Sequence, residues 1–172
     1  NNEPDYRIIE KHQEEIDNKI LKLIYAGRID KNKNIPTVQK AMDILRAKGW
    51  SVNLTVVGKV ADKEEFNRIN KDNFTTIKNA KPKEELIKDY NENSIFVMPS
   101  FQESFGLVYA EAMSQGLPVV YSKGQGFDGQ FPEGEVGYHD VFMAKLNRKL
   151  IGTNNYYCVS GAINQVRALY NH

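Results

Sequence analysis

Five short apolar runs, separated by stretches of helical spacing, constrain this chain more than any other feature. The runs occupy residues 21–26, 52–57, 74–77, 95–98 and 117–121, the third being the most polar. The fourth, Ile95-Phe96-Val97-Met98, is a continuous apolar run of the kind buried on both faces of a parallel sheet. Between the first two, residues 36–48 carry Val38, Ala41, Met42 and Leu45 as an i, i+3, i+4, i+7 stripe. Pro36 suits the first turn of that helix and Gly49 stops it. Residues 62–71 predict a charged helix anchored by Phe66 and Ile69. Residues 83–91 predict another, with Pro82 near its start and Leu86, Ile87 and Tyr90 turned inward. A fourth opens near Phe105-Gly106 and runs through Met113, with Gly116 and Pro118 as stop signals. Strand–helix alternation of this kind requires right-handed crossovers. The predicted class is therefore α/β, a doubly wound, Rossmann-like parallel sheet.

The ends of the chain are less patterned. Residues 1–20 are polar, with weak apolar spacing at Ile8, Ile9, Ile16 and Ile20, and read as a lead-in segment with a short helix over 11–18. After Ser122 come a glycine-rich loop (123–129), an irregular stretch (131–138) and helical patterns over 141–150 and 160–170. The chain has 172 residues and a formal net charge of +1. That length suffices for one domain, here residues 21–172, and that charge gives no reason to expect nucleic acid as a partner. No apolar stretch approaches the ~20 residues needed to span a bilayer, and the first residues have no secretory signal pattern. The lone Cys158 excludes an intramolecular disulfide and speaks against a zinc cluster, so the expected compartment is the reducing cytoplasm.

In a doubly wound sheet, ligands bind beyond the carboxyl ends of the strands, where the strand order reverses. Gly27-Arg28, Gly58-Lys59, residues 99–106 and residues 122–129 all fall at such ends. Arg28 offers a guanidinium fork and Lys33 a mobile point charge for a diphosphate. The helix after Gly106 offers free N–H groups and a positive dipole end, and Gly106 leaves room for a phosphate. Glu111 would lie roughly 7 Å along that helix, about the distance from a diphosphate to the ribose of its nucleotide. Glu103 precedes the helix, toward an attached sugar. Each feature also has an ordinary reading. Arg28 and Lys33 could be solvated loop charges, and Glu103 a favourable charge near a helix terminus worth ~0.3–1 kcal/mol. His12, His139 and His172 lack metal-ligand spacing, and Trp50 and the tyrosines read as packing. The glycine-rich loop follows the last strand instead of the first, which disfavours an NAD-dependent oxidoreductase. A non-catalytic module using the same junction for nucleotide binding or partner docking stays open.

Taken together, Gly27-Arg28-Ile29, Lys33, Pro99-Ser100, Glu103-x7-Glu111-Ala112-Met113 and Gly116-Leu117-Pro118-Val119-Val120 resemble a known family. Over residues 23–120 the chain is similar to the C-terminal, donor-binding domain of retaining glycosyltransferases of GT-B fold, family four or group 1. The resemblance implies that this domain is one half of a GT-B architecture. It implies transfer of a hexose, with retention, from a nucleotide-diphosphate sugar to a glycan or lipid-linked acceptor. Arg28 and Lys33 would grip the diphosphate and stabilise the leaving charge. Ser104, Phe105, Gly106 and Leu107 would form the donor loop, with the Gly106 and Leu107 amides on the phosphates. Glu111 would hold the ribose hydroxyls. Glu103 would contact the donor sugar at the reacting centre, completing a catalytic set with Arg28 and Lys33. No metal or cofactor is implied, because the cationic side chains take that role. The acceptor would be bound by an N-terminal domain absent from this chain, so the chain alone would bind donor weakly and transfer nothing. No nucleic acid is implied; peripheral membrane association is, for the longer protein. The segments around Lys59 and Lys81 are candidates for base recognition. Two departures stand out: Asn34 occupies a position where Gly is common, and Gly124-Gln125-Gly126-Phe127-Asp128 replaces a Gly-Gly-acid pattern.

Overall fold

The computed structural model describes residues 6–117, 119–122, 124–125 and 156–159. At the middle of its sheet is β1 (Ile20–Ala26), where Leu21, Leu23, Ile24, Tyr25 and Ala26 are all buried. On one side β1 pairs in parallel with β2 (Ser51–Val57), which pairs with β3 (Thr75–Lys78). On the other side it pairs with β4 (Ile95–Met98), which pairs with β5 (Val119–Ser122). A sixth strand, β6 (Tyr156–Val159), adds to β5 in the antiparallel sense. The order is β3-β2-β1-β4-β5-β6, so the first five strands form the expected doubly wound parallel sheet. β4 and β5 are buried at every position, the reason their sequences show no alternation. The order reverses between β1 and β4, whose pairing covers only Leu23↔Ile95 and Ile24↔Phe96. Beyond that short ladder the two chain segments diverge and leave a crevice.

The connecting helices are α1 (Tyr6–Asp17), α2 (Ile35–Ala47), α3 (Lys63–Ile69), α4 (Lys83–Glu92) and α5 (Leu107–Ser114). In α2 the stripe of Ile35, Val38, Ala41, Met42 and Leu45 is buried, and Pro36 sits in the first turn. The residue before it, Asn34, has φ 55 and ψ 34, the left-handed conformation that Gly adopts freely and Asn tolerates best among other residues. The departure at position 34 therefore keeps the local geometry. α3 is shorter than expected at both ends: it stops at Ile69, and Asp62 is its cap, the carboxylate accepting from the Glu64 and Glu65 N–H groups at 2.9 and 3.1 Å.

Four aromatic rings cross the layer between β4, α4 and α5. Tyr90, Phe96, Tyr109 and Tyr121 meet edge to face at centroid distances of 6.1, 5.6 and 5.9 Å. Trp50 is half-buried against the same core.

Several expectations shift. The helix expected over 11–18 begins at Tyr6 and ends at Asp17; within it Ile16 is fully buried in the core and His12 hydrogen-bonds the Asn91 carbonyl at 2.8 Å. β5 starts at Val119 because the Leu117 N–H donates to the Ala112 carbonyl, closing the end of α5. β6 was not anticipated. The helices expected over 141–150 and 160–170, the irregular stretch 131–138 and most of the 123–129 loop lie outside the described residues.

Candidate functional site

The crevice at the reversal point is a cleft of ≈ 680 Å³. It is floored by Ala26, Val57 and Met98 at the strand ends and walled by Gly106, Leu107 and Val108 at the start of α5. Arg28, Lys33, Lys59 and Lys81 set four cationic side chains against the single carboxylate of Glu103 in this lining. Such a balance favours an anionic ligand. Among the described residues, no set of three His, Cys, Asp or Glu side chains gathers as a metal site.

Each wall has a local cause. Arg28 follows directly from β1, and its carbonyl accepts a 2.6 Å hydrogen bond from the Tyr25 hydroxyl. Burial, then the nearby carboxylates of Asp30 and Glu103, push the Tyr25 hydroxyl far above its usual range, so it remains a neutral donor. The Arg28 guanidinium is exposed and leans on Asp30, Nε to Oδ2 at 2.7 Å. Ile29, fully buried, forms a bridge with Val60 that ties the ends of β1 and β2 together. At that junction Gly58 is obligatory, because a Cβ there would lie 1.7 Å from the Gly27 carbonyl oxygen.

Lys33 comes from the 3-10 turn Lys31–Lys33, and Glu103 from the loop after β4. The structure brings them into contact, Nζ to Oε2 at 2.7 Å, with each side chain 15% exposed. The Glu103 N–H donates to Gln125 Oε1 at 3.0 Å, and the Ser104 N–H to Glu103 Oε1 at 3.2 Å. Ser122 Oγ donates to the Ser100 carbonyl at 2.7 Å, fastening the same loop to β5.

The start of α5 depends on one glycine. Gly106 has φ 69 and ψ 58, and a Cβ there would lie 2.5 Å from the Tyr109 ring. That ring cannot yield easily: it is 1% exposed and its hydroxyl donates to the Met98 carbonyl at 2.7 Å. Burial, followed by the Glu103 charge, raises the Tyr109 hydroxyl and keeps it a donor. Gly106, Leu107 and Val108 at the start of α5 line the cleft, and the first N–H groups of a helix lack a helical carbonyl four residues back.

Of the residues singled out from the sequence, Arg28, Lys33, Glu103, Gly106 and Leu107 line one cleft. Ser104 and Phe105 are exposed on the loop beside it. Glu111 lies one helical turn beyond Leu107, outside the lining, where it pairs with Lys83 of α4 at 3.4 Å. Sequence reading missed Asn32 and Tyr109 as neighbours of the site, and placed Gln125 there only as part of the 122–129 segment. Only Tyr109 left a trace, as an apolar ring three residues after a glycine.

A family model described as glycosyl transferases group 1 matches residues 7–147. D-inositol 3-phosphate glycosyltransferase of Pseudarthrobacter chlorophenolicus is 30% identical over 142 residues, covering 78% of this chain and 34% of that protein. The chain spans about a third or less of the curated relatives it matches. Among solved structures, the C-terminal domain of a glycosyl transferase group 1 family protein (LpcC) from Francisella tularensis aligns with a TM-score of 0.61. The match has 20% identity and covers 98% of this chain and 94% of that one. The pneumococcal O-GlcNAc transferase GtfA, solved with UDP and GlcNAc, aligns with a TM-score of 0.58 at 19% identity, covering 88% of this chain and 29% of that one.

Proposed function

The chain belongs to the group 1 glycosyl transferases, and from that premise we propose that it is the donor-binding domain of a retaining hexosyltransferase using a nucleotide-diphosphate sugar. The observation that carries the reading is the cleft at the strand-order reversal, where Arg28, Lys33 and the N-terminus of α5 converge. The fold match to a free-standing C-terminal domain of a group 1 protein supports the domain assignment. The UDP in a neighbour of the same fold supports a nucleoside diphosphate as the ligand class.

On this reading the ligand-free protein holds its phosphate-binding cation in reserve. Lys33 rests on Glu103, and an incoming diphosphate takes the ammonium group from that carboxylate. Arg28 leaves Asp30 in the same way. As the bond from sugar to diphosphate breaks, negative charge grows on the leaving oxygens, and Arg28, Lys33 and the α5 amides stabilise it without reorganising. The released Glu103 carboxylate then accepts hydrogen bonds from the donor sugar. Departure and attack occur on one face of the sugar, and the leaving phosphate takes the proton of the acceptor hydroxyl. Glu111 holds the ribose hydroxyls after giving up Lys83. The acceptor, a glycan or a lipid-linked one, is bound by a further domain of the longer protein, and the chain alone transfers nothing.

Calorimetric titration of the chain with UDP, GDP and ADP tests this. At least one should bind at millimolar concentration or below, and Arg28→Ala or Lys33→Ala should weaken it on the order of tenfold, the usual worth of a charge-assisted contact. Absence of binding by all three, or unchanged affinity in both variants, would reject the reading.

A further inference from the structure

The crevice has a fastening that the donor-site residues themselves do not supply. The β1–β4 ladder ends at Ile24↔Phe96, well before the loops that carry Lys33 and Glu103. Besides the Lys33–Glu103 pair, Asn32 ties those loops through three hydrogen bonds. The backbone carbonyl of Asn32 accepts from the Phe101 N–H at 2.8 Å. Its side-chain Nδ2 donates to the Gln102 carbonyl at 2.8 Å, and its Oδ1 accepts from the Gln102 N–H at 2.9 Å. The amide thus imitates a strand residue, presenting one donor and one acceptor to the peptide groups of residue 102. The Lys33–Glu103 contact follows immediately on both sides of this tie.

We propose that Asn32 is a positioning residue that sets the spacing between Lys33 and Glu103, and so the place where Lys33 meets the diphosphate. The proposal rests on the donor-site reading above. Position 32 is where such a tie is needed: chains leaving β1 and β4 turn to opposite faces of the sheet at the reversal point, so no continuous ladder holds the two sides of the crevice together. Lys33 has a long, flexible stem, and an ammonium on an untethered turn would sample many positions. The bidentate amide also fixes its own orientation, since a flipped group would set donor against donor and acceptor against acceptor.

A double-mutant cycle tests the role. UDP, GDP and ADP are titrated into the wild-type chain, and the tightest is carried through Asn32→Ala, Asn32→Asp, Lys33→Ala and the two double variants. Asn32→Ala should weaken binding about fivefold, the order expected when partly exposed hydrogen bonds are lost. Asn32→Asp, which sets a carboxylate against the Gln102 carbonyl, should weaken it at least as much; being isosteric, it carries the test if the alanine variant does not fold. In the Lys33→Ala background either change should alter affinity less than twofold, an outcome that general loosening of the fold would not produce. Equal affinity in wild type and both Asn32 variants, or an undiminished loss without Lys33, overturns the positioning role and leaves the donor site standing. Failure of wild type to bind any of the three overturns the donor-site reading, and this role with it.

Discussion

Replacing Gly106 by Ala tests whether the start of α5 is as constrained as its geometry implies. The substitution has two separable costs. A left-handed backbone with a Cβ costs about 1–2 kcal/mol, and position 106 has φ 69. The Cβ would also sit 2.5 Å from two carbons of the Tyr109 ring, forcing that ring out of place. Its displacement loses the hydrogen bond to Met98, ~1–3 kcal/mol for a buried group, and part of the edge contacts with Phe96 and Tyr121, ~0.5–1.5 kcal/mol each. The sum is roughly 2–8 kcal/mol, a large share of the 5–15 kcal/mol typical of a domain. Gly49 supplies the control: it has φ +90 but nothing within 4 Å of an added Cβ, so Gly49→Ala reports the backbone cost alone. Urea denaturation followed by circular dichroism should rank Gly106→Ala at least about 1 kcal/mol below Gly49→Ala, on the loss of the buried Tyr109 bond alone. The Gly106 variant should also weaken nucleoside diphosphate binding, since the α5 amides move. If both variants lose the same stability, Tyr109 does not constrain the turn and the reasoning fails.

Glu103→Gln removes the anion that competes for Lys33, so free UDP should bind at least two- to fivefold tighter, the equivalent of ~0.5–1 kcal/mol for one ion pair; comparative calorimetry that shows weaker UDP binding would contradict the reserve-cation account. Asp89 is buried and accepts 2.7 Å hydrogen bonds from both Lys78 and Lys81. Asp89→Ala should cost about 1–2 kcal/mol in urea denaturation, discounted because both lysines can rehydrate, and a midpoint equal to wild type would show the triad to be idle. Burial lowers the His12 pKa below 6.5, outweighing the Asn91 carbonyl and Glu15, which raise it; Lys22 and Lys11 lower it further. The unfolded chain then binds the extra proton, so this stability is fully present above pH 6.5 and is lost as pH falls below it toward the folded value. Denaturation midpoints between pH 7.5 and 5 should fall less steeply for His12→Gln than for wild type; identical slopes would remove His12 from the account.

β4 and β5 were legible because burial on both faces, at every position, leaves a direct mark in sequence, an apolar run closed by a turn residue. Gly106 was legible for a related reason, since the absent side chain is itself the signal. Cross-loop chemistry leaves no such mark. Asn32 bonds to residue 102 across seventy positions, and a polar residue in a polar loop carries no period that names its partner. The same holds for Lys33 and Glu103: each was recognisable as a candidate, but their contact was not. Glu111 was placed by distance along a helix axis, which says nothing about azimuth, and Lys83 on the neighbouring α4 takes it in the structure. α1 was underestimated because its buried anchors include a histidine, and β6 because four residues, Tyr156–Val159, stand apart from the strand–helix alternation.

The most direct test of the donor-site account is a crystal structure of the chain with whichever of UDP, GDP and ADP binds. The account predicts the diphosphate in the cleft between Gly27 and Gly106, hydrogen-bonded to Arg28, Lys33 and the first amides of α5, with Lys33 drawn off Glu103. A nucleotide bound elsewhere, with the 2.7 Å Lys33–Glu103 pair intact, would contradict it.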